Sequence, residues 1–487
     1  MRALPALAVL IALPIAPVAA QGGEPCLVEF TGVVRGGIET TSTRIITTPT
    51  GAKHSFVSGG VDATCVGQGN RLLADSAEYY QDRGELILIN RVRYTDPKMA
   101  MQGDRMIYYT NEERLIATGS VRGRTNTGTR FTGPSFEYFR AKPGVRDTPS
   151  WRAPGRPFVR MAPQDSGAKR DERPGRAGRA PTAPAAPVRA DQPPGERGDS
   201  VDLTADVVTS QNDSLVWLSG QVVIERSDMV ATGDSATLDQ GTGYARLLRT
   251  PRIVGRGERP FTMLGVEIDM WSREQKLEQV RSSGEASVES DSLDLKGDTI
   301  DLRFKDQLMQ RVFTWGGRAI ADTPDQHMEA DSLDVLMPGQ RLSEVHAVGK
   351  AVAQSTVDTA RIVSEERDWI AGDTIVAHFD TVTAPGDTAQ RTRMKQVTAS
   401  GSARALYQLA PAGGGRGMPN LSYNRGREIV VLFEGGQVDR VDVKDRASGL
   451  YLEPIVAPDS TTPRPVKPDS TTARQPKPDP SRDPKRP

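Results

Sequence analysis

The sequence predicts an all-β protein, folded as an elongated jellyroll or solenoid-like roll of repeated strand units. Apolar and polar residues alternate over short stretches, as where Leu333 and Val335 alternate with Ser332 and Asp334. A strand places alternate side chains on opposite faces, so this rhythm indicates strands with one apolar face. The apolar spacing of an amphipathic helix is absent over any useful length. Two short phrases also recur at a period of roughly thirty residues, which indicates a repeat architecture.

The first recurring phrase is Gly or Ala followed by Asp and then an alternating stretch, and the second opens with Gly before small or apolar residues. Glycine suits a bend or bulge where a strand turns a corner. We expect each Asp to cap such a bend through local Asx-type hydrogen bonds. Single units cannot bury their apolar faces, so stacking is obligatory. The aspartates are Asp75, Asp104, Asp234, Asp298, Asp331 and Asp373, and the glycines include Gly119, Gly220, Gly284, Gly317, Gly349 and Gly401.

The first twenty residues have the composition of a secretory signal peptide. Arg2 supplies the positive charge, residues 4–15 form a short apolar run, and residues 17–20 read Pro-Val-Ala-Ala. This pattern predicts cleavage and export, with an uncleaved N-terminal anchor as the alternative. No later apolar run is long enough for a transmembrane helix, so we expect no membrane span. The predicted location is the periplasm, either free there or associated with the outer membrane.

Cys26 and Cys65 are the two cysteines of the chain. In an oxidising compartment, an isolated pair favours a disulfide over a metal site or a nucleophile. The alternative is two free thiols.

Composition divides the remaining chain into four parts. Residues 27–140 and 201–455 carry the strand pattern and are predicted to form a first and a longer second β domain. Residues 141–200 are rich in Pro, Arg, Ala and Gly, which favours a disordered linker. Residues 456–487 form a Pro-, Asp-, Lys- and Thr-rich tract, which predicts a disordered tail.

The charge and motif content argue against several functions. Lys and Arg number 62, as do Asp and Glu, and such a neutral chain lacks the basic surplus that nucleic-acid binding requires. The four histidines are scattered, which predicts no metal site and no cofactor. A calcium-binding roll would need a nine-residue glycine-rich period, and a glycosidase would need one defined carboxylate pair. No nucleophile-elbow, P-loop or dinucleotide-binding motif has a credible setting, so we expect no enzymatic activity.

Three stretches carry a resemblance to a known family. Residues 56–65 (Phe-Val-Ser-Gly-Gly-Val-Asp-Ala-Thr-Cys), 73–80 (Leu-Ala-Asp-Ser-Ala-Glu-Tyr-Tyr) and 119–122 (Gly-Ser-Val-Arg) resemble the OstA-like domain. That domain is shared by the lipopolysaccharide-transport proteins LptA, LptC and the N-terminal part of LptD. The resemblance covers about residues 27–140 well and residues 201–455 more loosely, through the same pattern at Leu293, Ile300, Leu333 and Ile375.

The resemblance implies a β-jellyroll twisted into an open V, whose apolar groove holds the acyl chains of lipopolysaccharide. It also implies partners of the same OstA-like kind, joined end to end through edge strands as a bridge between the membranes. The chain departs from the family in its length and its internal linker. It also lacks the membrane helix of LptC and the barrel of LptD, which leaves its place in a bridge open.

Inward positions of the repeat are the predicted groove lining. The alternative is that the same residues meet the opposite sheet and fill a thin core. The candidates are Ala77, Tyr79, Met106, Tyr108, Val121, Val222, Ile224, Ala236, Leu238, Ala286, Val288, Ile300, Leu302, Ala319, Leu333, Val335, Val345, Ala351, Ile375 and Ala403.

Three functions therefore remain in competition. The leading hypothesis is a lipopolysaccharide-transport scaffold. The second is an exported polysaccharide-active or adhesive β-solenoid, which stacked aromatics or a cluster of Asp, Arg and Lys on one face would favour. The third is a structural periplasmic spacer that carries no lipid.

Overall fold

The computed structural model describes residues 28–31, 34–35, 38–39, 41–65, 69–162, 200–256, 260–274, 276–291, 293–383, 390–411, 415–434 and 437–454. Within these ranges the chain forms strands and one 3-10 turn, Pro338–Gln340, with no α-helix. The prediction of an all-β protein is therefore confirmed. The predicted signal peptide, Cys26 and the predicted tail lie outside the described residues, as does the side chain of Cys65.

The strands follow one another with few long gaps. The first seventeen are β1 (Val28–Thr31), β2 (Val34–Arg35), β3 (Ile38–Glu39), β4 (Ser42–Thr47), β5 (Lys53–Ser58), β6 (Val61–Cys65), β7 (Asn70–Ala74), β8 (Ser76–Tyr80), β9 (Glu85–Thr95), β10 (Met99–Tyr109), β11 (Arg114–Thr125), β12 (Arg130–Phe139), β13 (Ser150–Pro154), β14 (Phe158–Met161), β15 (Val201–Thr204), β16 (Val207–Gln211) and β17 (Leu215–Glu225). The others are β18 (Met229–Asp239), β19 (Tyr244–Leu248), β20 (Arg252–Gly255), β21 (Phe261–Leu264), β22 (Glu267–Arg273), β23 (Lys276–Ser290), β24 (Asp294–Lys305), β25 (Leu308–Trp315), β26 (Ala319–Asp322), β27 (Gln326–Ala330), β28 (Ser332–Leu336), β29 (Glu344–Ser355), β30 (Asp368–Thr383), β31 (Gln390–Leu409), β32 (Asn420–Glu434), β33 (Gln437–Lys444) and β34 (Ser448–Leu452).

The architecture is one antiparallel meander folded lengthwise into two facing sheets. Each long strand contributes one half to a first sheet and the other half to a second sheet; the early part of β17 pairs with β16 and its later part with β15. At other positions two short strands replace one long strand, as where β13 and β14 both pair with β12. We call the fold line between the sheets the corner, and the opposite side, where the strand ends lie, the mouth.

The corner is built from the two recurring phrases. The pairing register shifts at the corner of long strands, for example between Ser219 and Val222 and between Ser400 and Ala403. Such a bulge bends a strand and changes its twist. Gly220 and Gly401 have φ of 78° and 77°, a conformation that glycine adopts without a side-chain penalty.

The predicted role of aspartate at the corner needs correction. The Asp side chain packs against the glycine of the next strand. At Gly119, for example, an added Cβ would lie 2.2 Å from Asp104 Oδ2. The backbone N–H of Ser120 donates to that oxygen at 3.0 Å. The predicted Asx-type bond is local, whereas this bond joins two strands. Pairing brings the Asp of one phrase to the Gly of the next, so the two phrases together form one corner.

The two predicted β domains are continuous. Residues 150–161, which composition assigned to the linker, form β13 and β14 and connect β12 to β15 and β16 by hydrogen bonds. Trp151, Ala153, Val159 and Met161 are buried there in strict alternation. The linker prediction therefore fails for this stretch, because an alternating strand pattern lay within a Pro- and Arg-rich composition. Residues 163–199 lie outside the described ranges.

Candidate functional site

The predicted groove residues lie between the two sheets. All but one of the twenty are buried members of a single apolar cluster that runs from Val57 to Val431. The exception, Tyr79, is partly buried and packs against the cluster. The structure thus places these residues on the inner faces of the sheets, while contact with lipid stays a prediction.

Aromatic side chains fill the interior before residue 152. Phe131 from the second sheet stacks on Phe136 from the first, with ring centroids 3.8 Å apart and planes 8° apart. Trp151 lies 5.3 Å from Phe136. Gly123 provides the space for this stack, because a Cβ there would lie 2.1 Å from the Phe131 ring. Large rings that meet across the sheets leave little room for a ligand.

A buried network of charged side chains closes the mouth in the same region. Arg140, at the end of the first sheet, donates to Glu113 Oε2 at 2.7 Å and lies 3.4 Å from Asp96 Oδ2, in a turn of the second sheet. Tyr94 donates its hydroxyl to Asp96 and Tyr108 donates to Glu113, both at 2.7 Å. Burial raises the pKa of both tyrosines. These contacts join the edges of the two sheets and separate the interior from water.

A second contact closes the mouth next to this network. Asp213 accepts a hydrogen bond from Trp151 Nε1 at 2.9 Å and another from Thr127 Oγ1 at 3.1 Å. Thr127 lies in a turn of the second sheet, whereas Asp213 lies in a turn of the first. The carboxylate therefore holds the two edges together.

A cavity of about 190 Å³ opens at the mouth beyond this closed region. Its walls come from both sheets, and the deeper side chains are apolar. The second sheet contributes Met161, Val201, Ile224 and Met229, and the first contributes Leu238, Ala245 and Met270. The predicted candidates Ile224 and Leu238 thus line the cavity.

Several polar groups of the cavity lie at its rim and are paired within the chain, whereas Gln240 Oε1 is buried without a hydrogen-bond partner among the described residues. Arg226 donates to both oxygens of Asp228 at 3.0 and 3.1 Å and to Ser272 Oγ, on the opposite sheet, at 3.0 Å. The Tyr244 hydroxyl donates to Asp269, and burial together with this bond raises its pKa to about 12. The rim therefore presents a neutral tyrosine and the paired Arg226 around an apolar floor.

The interior after residue 340 is made of smaller side chains. Six of its buried residues are alanines: Ala347, Ala351, Ala377, Ala399, Ala403 and Ala405. Among the described residues, Tyr407 is the buried aromatic of this part, at 8% exposure.

Half-buried Phe and Met side chains lie along the mouth of the later region. Phe261 of the second sheet stacks on Phe304 of the first at 6.3 Å. Phe379 and Met394 are cross-strand neighbours, and Phe433 lies on the adjoining strand. All five pack against the apolar cluster and remain partly exposed. We call Phe304, Phe379, Met394 and Phe433 the apolar lip.

Sequence reasoning missed the apolar lip. A second bulge displaces the register between His378 and Phe379 and again between Leu432 and Phe433. On β32, strict alternation from Val431 places Phe433 on the inner face. On β31, however, strict alternation from Val397 would place Met394 on the outer face. A one-residue shift exchanges the two faces of a strand, and nothing in the sequence marks this bulge.

The outer face of the first sheet holds a cluster that sequence reasoning also missed. The Arg281 guanidinium lies 5.6 Å from the ring centroids of both Trp271 and Trp315. Asp301, only 3% exposed, accepts hydrogen bonds from Arg281 and Arg303. These residues are far apart in sequence, and only the strand register brings them together.

The described residues hold neither a metal-binding cluster nor a membrane-spanning helix. Across the described ranges, no group of three or more His, Cys, Asp or Glu side chains could hold a metal ion. The same ranges contain no helix of the length and apolarity needed to cross a bilayer.

Comparison with family models and with curated sequences gave no match. A scan against protein-family models found no family that matches the chain. A search of curated proteins found no similar sequence.

Proposed function

We propose that the chain is an exported lipopolysaccharide-transport scaffold that carries acyl chains between its two sheets without catalysing a reaction. The observation that supports the proposal is the single apolar cluster from Val57 to Val431, bordered in its later part by the apolar lip. Acyl chains would lie inside, while sugars and phosphates would stay in water at the mouth. Each methylene removed from water contributes about 0.8 kcal/mol, so an apolar path lowers the barrier to crossing an aqueous compartment.

The length of the interior supports transport along the molecule. Beyond the closed aromatic region, from β15 and β16 onward, the meander has about fourteen strand positions, counting each broken strand once. At about 4.8 Å per strand, this part extends roughly 70 Å. An acyl chain in the later part would meet Ala, Val, Ile, Phe and Met side chains at successive positions. Similar apolar contacts at each step would let a lipid slide without a deep trap.

The C-terminal edge of the meander supports the proposed partner. Among the described strands, β33 and β34 form the C-terminal edge, and every residue of β34 is exposed. Leu450 and Tyr451 are about half exposed there, at 54% and 52%. Free edge strands can add to another sheet by backbone hydrogen bonding. We therefore propose a second OstA-like envelope protein as the partner at this edge, in the periplasm.

Photo-crosslinking to labelled lipopolysaccharide tests the lipid proposal. We expect a photoreactive residue at Phe433, on the apolar lip, to give an adduct. Leu432, the adjacent residue on the outer face, is the matched control and should give none. Tyr138, within the closed aromatic region, should also give none. If neither Phe433 nor Phe379 captures lipid, the transport proposal fails, and a structural spacer with the same fold takes its place.

The outer-face cluster favours a second candidate, an exported polysaccharide-binding protein. Aromatic rings beside paired Asp and Arg side chains can stack on sugar rings and bond their hydroxyls. Arg281, however, already covers the faces of Trp271 and Trp315, and Asp301 already bonds two arginines. We therefore place this candidate second. Retention on immobilised envelope polysaccharide that is lost in Trp315→Ala would favour it over lipid transport.

A further inference from the structure

The cavity at the mouth lies at the transition between the closed, aromatic-filled region and the later region. We propose that it binds the end of one unbranched alkyl chain of an amphiphile. This inference rests on the proposed lipid function and adds a defined subsite, with a limit on the length of chain that it accepts.

The floor of the cavity fits an alkyl chain. Met161, Met229 and Met270 come from three different strands and meet there with Ile224 and Leu238. Methionine is unbranched and adaptable, so a methionine-lined wall adjusts to a flexible chain. An apolar floor with a few polar groups at the entrance is typical of sites that bind amphiphiles.

The charged groups at the rim do not require an ionic ligand. Asp239 accepts the backbone N–H groups of Gly241 and Thr242 at 2.9 and 3.3 Å. Arg226 is paired with Asp228. Because Asp239 and Arg226 are satisfied within the chain and the floor is apolar, we assign recognition to the alkyl part of the ligand and expect its head group to lie in water at the rim.

The size of the cavity sets a limit on chain length. A volume of about 190 Å³ holds about six groups the size of a water molecule, at roughly 30 Å³ each, and a methylene group is of similar size. Each methylene that enters should raise the affinity about fourfold. Carbons beyond the sixth or seventh would remain outside and add little.

The link between Arg226 and Ser272 spans the cavity entrance from one sheet to the other. A chain that enters from the side of the mouth must pass this link. The hydrogen bond is the polar contact that closes the entrance, and its loss should speed entry without changing the length limit.

Calorimetry with n-alkyl glucosides of four to twelve carbons, below their critical micelle concentrations, tests the site on the full chain. We expect affinity to rise about fourfold per carbon to six or seven carbons and then to level off. Ala245→Phe, which fills the cavity, should weaken octyl glucoside binding at least tenfold. Ala321→Phe is the matched control, since Ala321 is also partly buried but lies outside the cavity, and it should bind as the parent does.

A second variant keeps the test decisive if Ala245→Phe does not fold. Leu238→Ala enlarges the cavity and should move the plateau to longer chains by about three carbons, the difference between the two side chains. Affinity that climbs without a plateau to twelve carbons would overturn the subsite but support lipid in the long interior. Equal binding by Ala245→Phe and Ala321→Phe would overturn the subsite as well. Failure of every glucoside to bind the parent chain would overturn both the subsite and the lipid proposal.

Discussion

The two ends of the folded meander share one backbone plan but differ in what fills it. Before residue 152 the interior holds Phe131, Phe136 and Trp151, and the mouth is closed by Arg140 and its carboxylates. After residue 340 the buried residues are mainly Ala, Val and Ile, and half-buried Phe and Met border the mouth. The corner is the same in both regions, with a positive-φ glycine against an aspartate.

We infer that the repeat determines the fold. The size of the inward side chains, and whether charged or apolar residues line the mouth, determine what the interior can bind. A region whose rings already meet across the sheets is a rigid core. A region lined by small residues beneath an apolar lip can exchange its contacts for those of a lipid. Similar folds can thus host different roles along one chain.

The largest expected effect comes from removing a ring of the aromatic stack. Phe136→Ala should lower the free energy of local opening in residues 114–161 by about 3–5 kcal/mol, because a fully buried ring leaves a cavity. Phe379→Ala, at the partly exposed apolar lip, should cost only about 1–2 kcal/mol in its own region, since less of its surface is buried. Hydrogen exchange by mass spectrometry measures both. Equal losses would remove the contrast between a filled and an open interior.

A comparable effect should follow from breaking the charge network at the mouth. Arg140→Met leaves Asp96 and Glu113 buried without a cation, which costs about 3–5 kcal/mol. Arg311→Met removes an exposed pair with Asp334 and should cost at most about 1 kcal/mol. Urea unfolding at neutral pH, together with hydrogen exchange of residues 85–140, compares the stability of the two variants. A loss below about 1 kcal/mol for Arg140→Met would show that the network does not close the mouth.

The corner should respond equally in both regions. Gly119→Ala and Gly401→Ala each place a Cβ 2.2 Å from an aspartate oxygen at a strained φ, and we expect a cost of about 1–3 kcal/mol for each. Shortening the aspartate should relieve the clash, so Asp104→Ala should partly rescue Gly119→Ala in a double-mutant cycle. Melting temperatures of the three variants measure this coupling. Strictly additive losses would mean that strain in φ alone explains the cost.

The sequence was sufficient for the local parts of this architecture. Alternation at Leu333 and Val335 predicted an inward face, and the Gly and Asp phrases predicted a corner, because both signals lie within a few residues of the chain. Composition was misleading at β13 and β14, where burial of Trp151 and Val159 outweighs the surrounding Pro and Arg.

Features that depend on register could not be predicted. The charge network joins Asp96, Glu113 and Arg140, and the outer-face cluster joins Trp271, Arg281 and Trp315. In the sequence these charges look evenly distributed. Which side chains become neighbours depends on strand pairing and on the bulges that shift it.

The weakest effect should come from Asp368 in the later region, which forms no ion pair with any described residue, in contrast to Asp96, which is paired with Arg140. Asp368 accepts a hydrogen bond from the Gln408 backbone N–H at 2.9 Å, and burial raises its pKa to about 6. The folded state therefore keeps a proton that the unfolded state releases near pH 4, so stability falls as pH rises from about 4 to 6 and stays lowered above that. Asp368→Asn keeps the acceptor without the charge. Since Asp368 is partly exposed, solvent screening reduces the expected gain at pH 8 to about 1 kcal/mol, with no gain at pH 4.

Urea midpoints of Asp368→Asn and the parent chain at the two pH values measure this difference. A gain of similar size at both would assign it to packing and not to charge. Asp96→Asn is the comparison in the closed region, and it should destabilise at pH 8, because there the carboxylate has a cation within 3.4 Å. Opposite signs for the same substitution at pH 8 would establish that charge pairing stabilises the early mouth, whereas the later one tolerates a half-buried carboxylate that has no described ion pair.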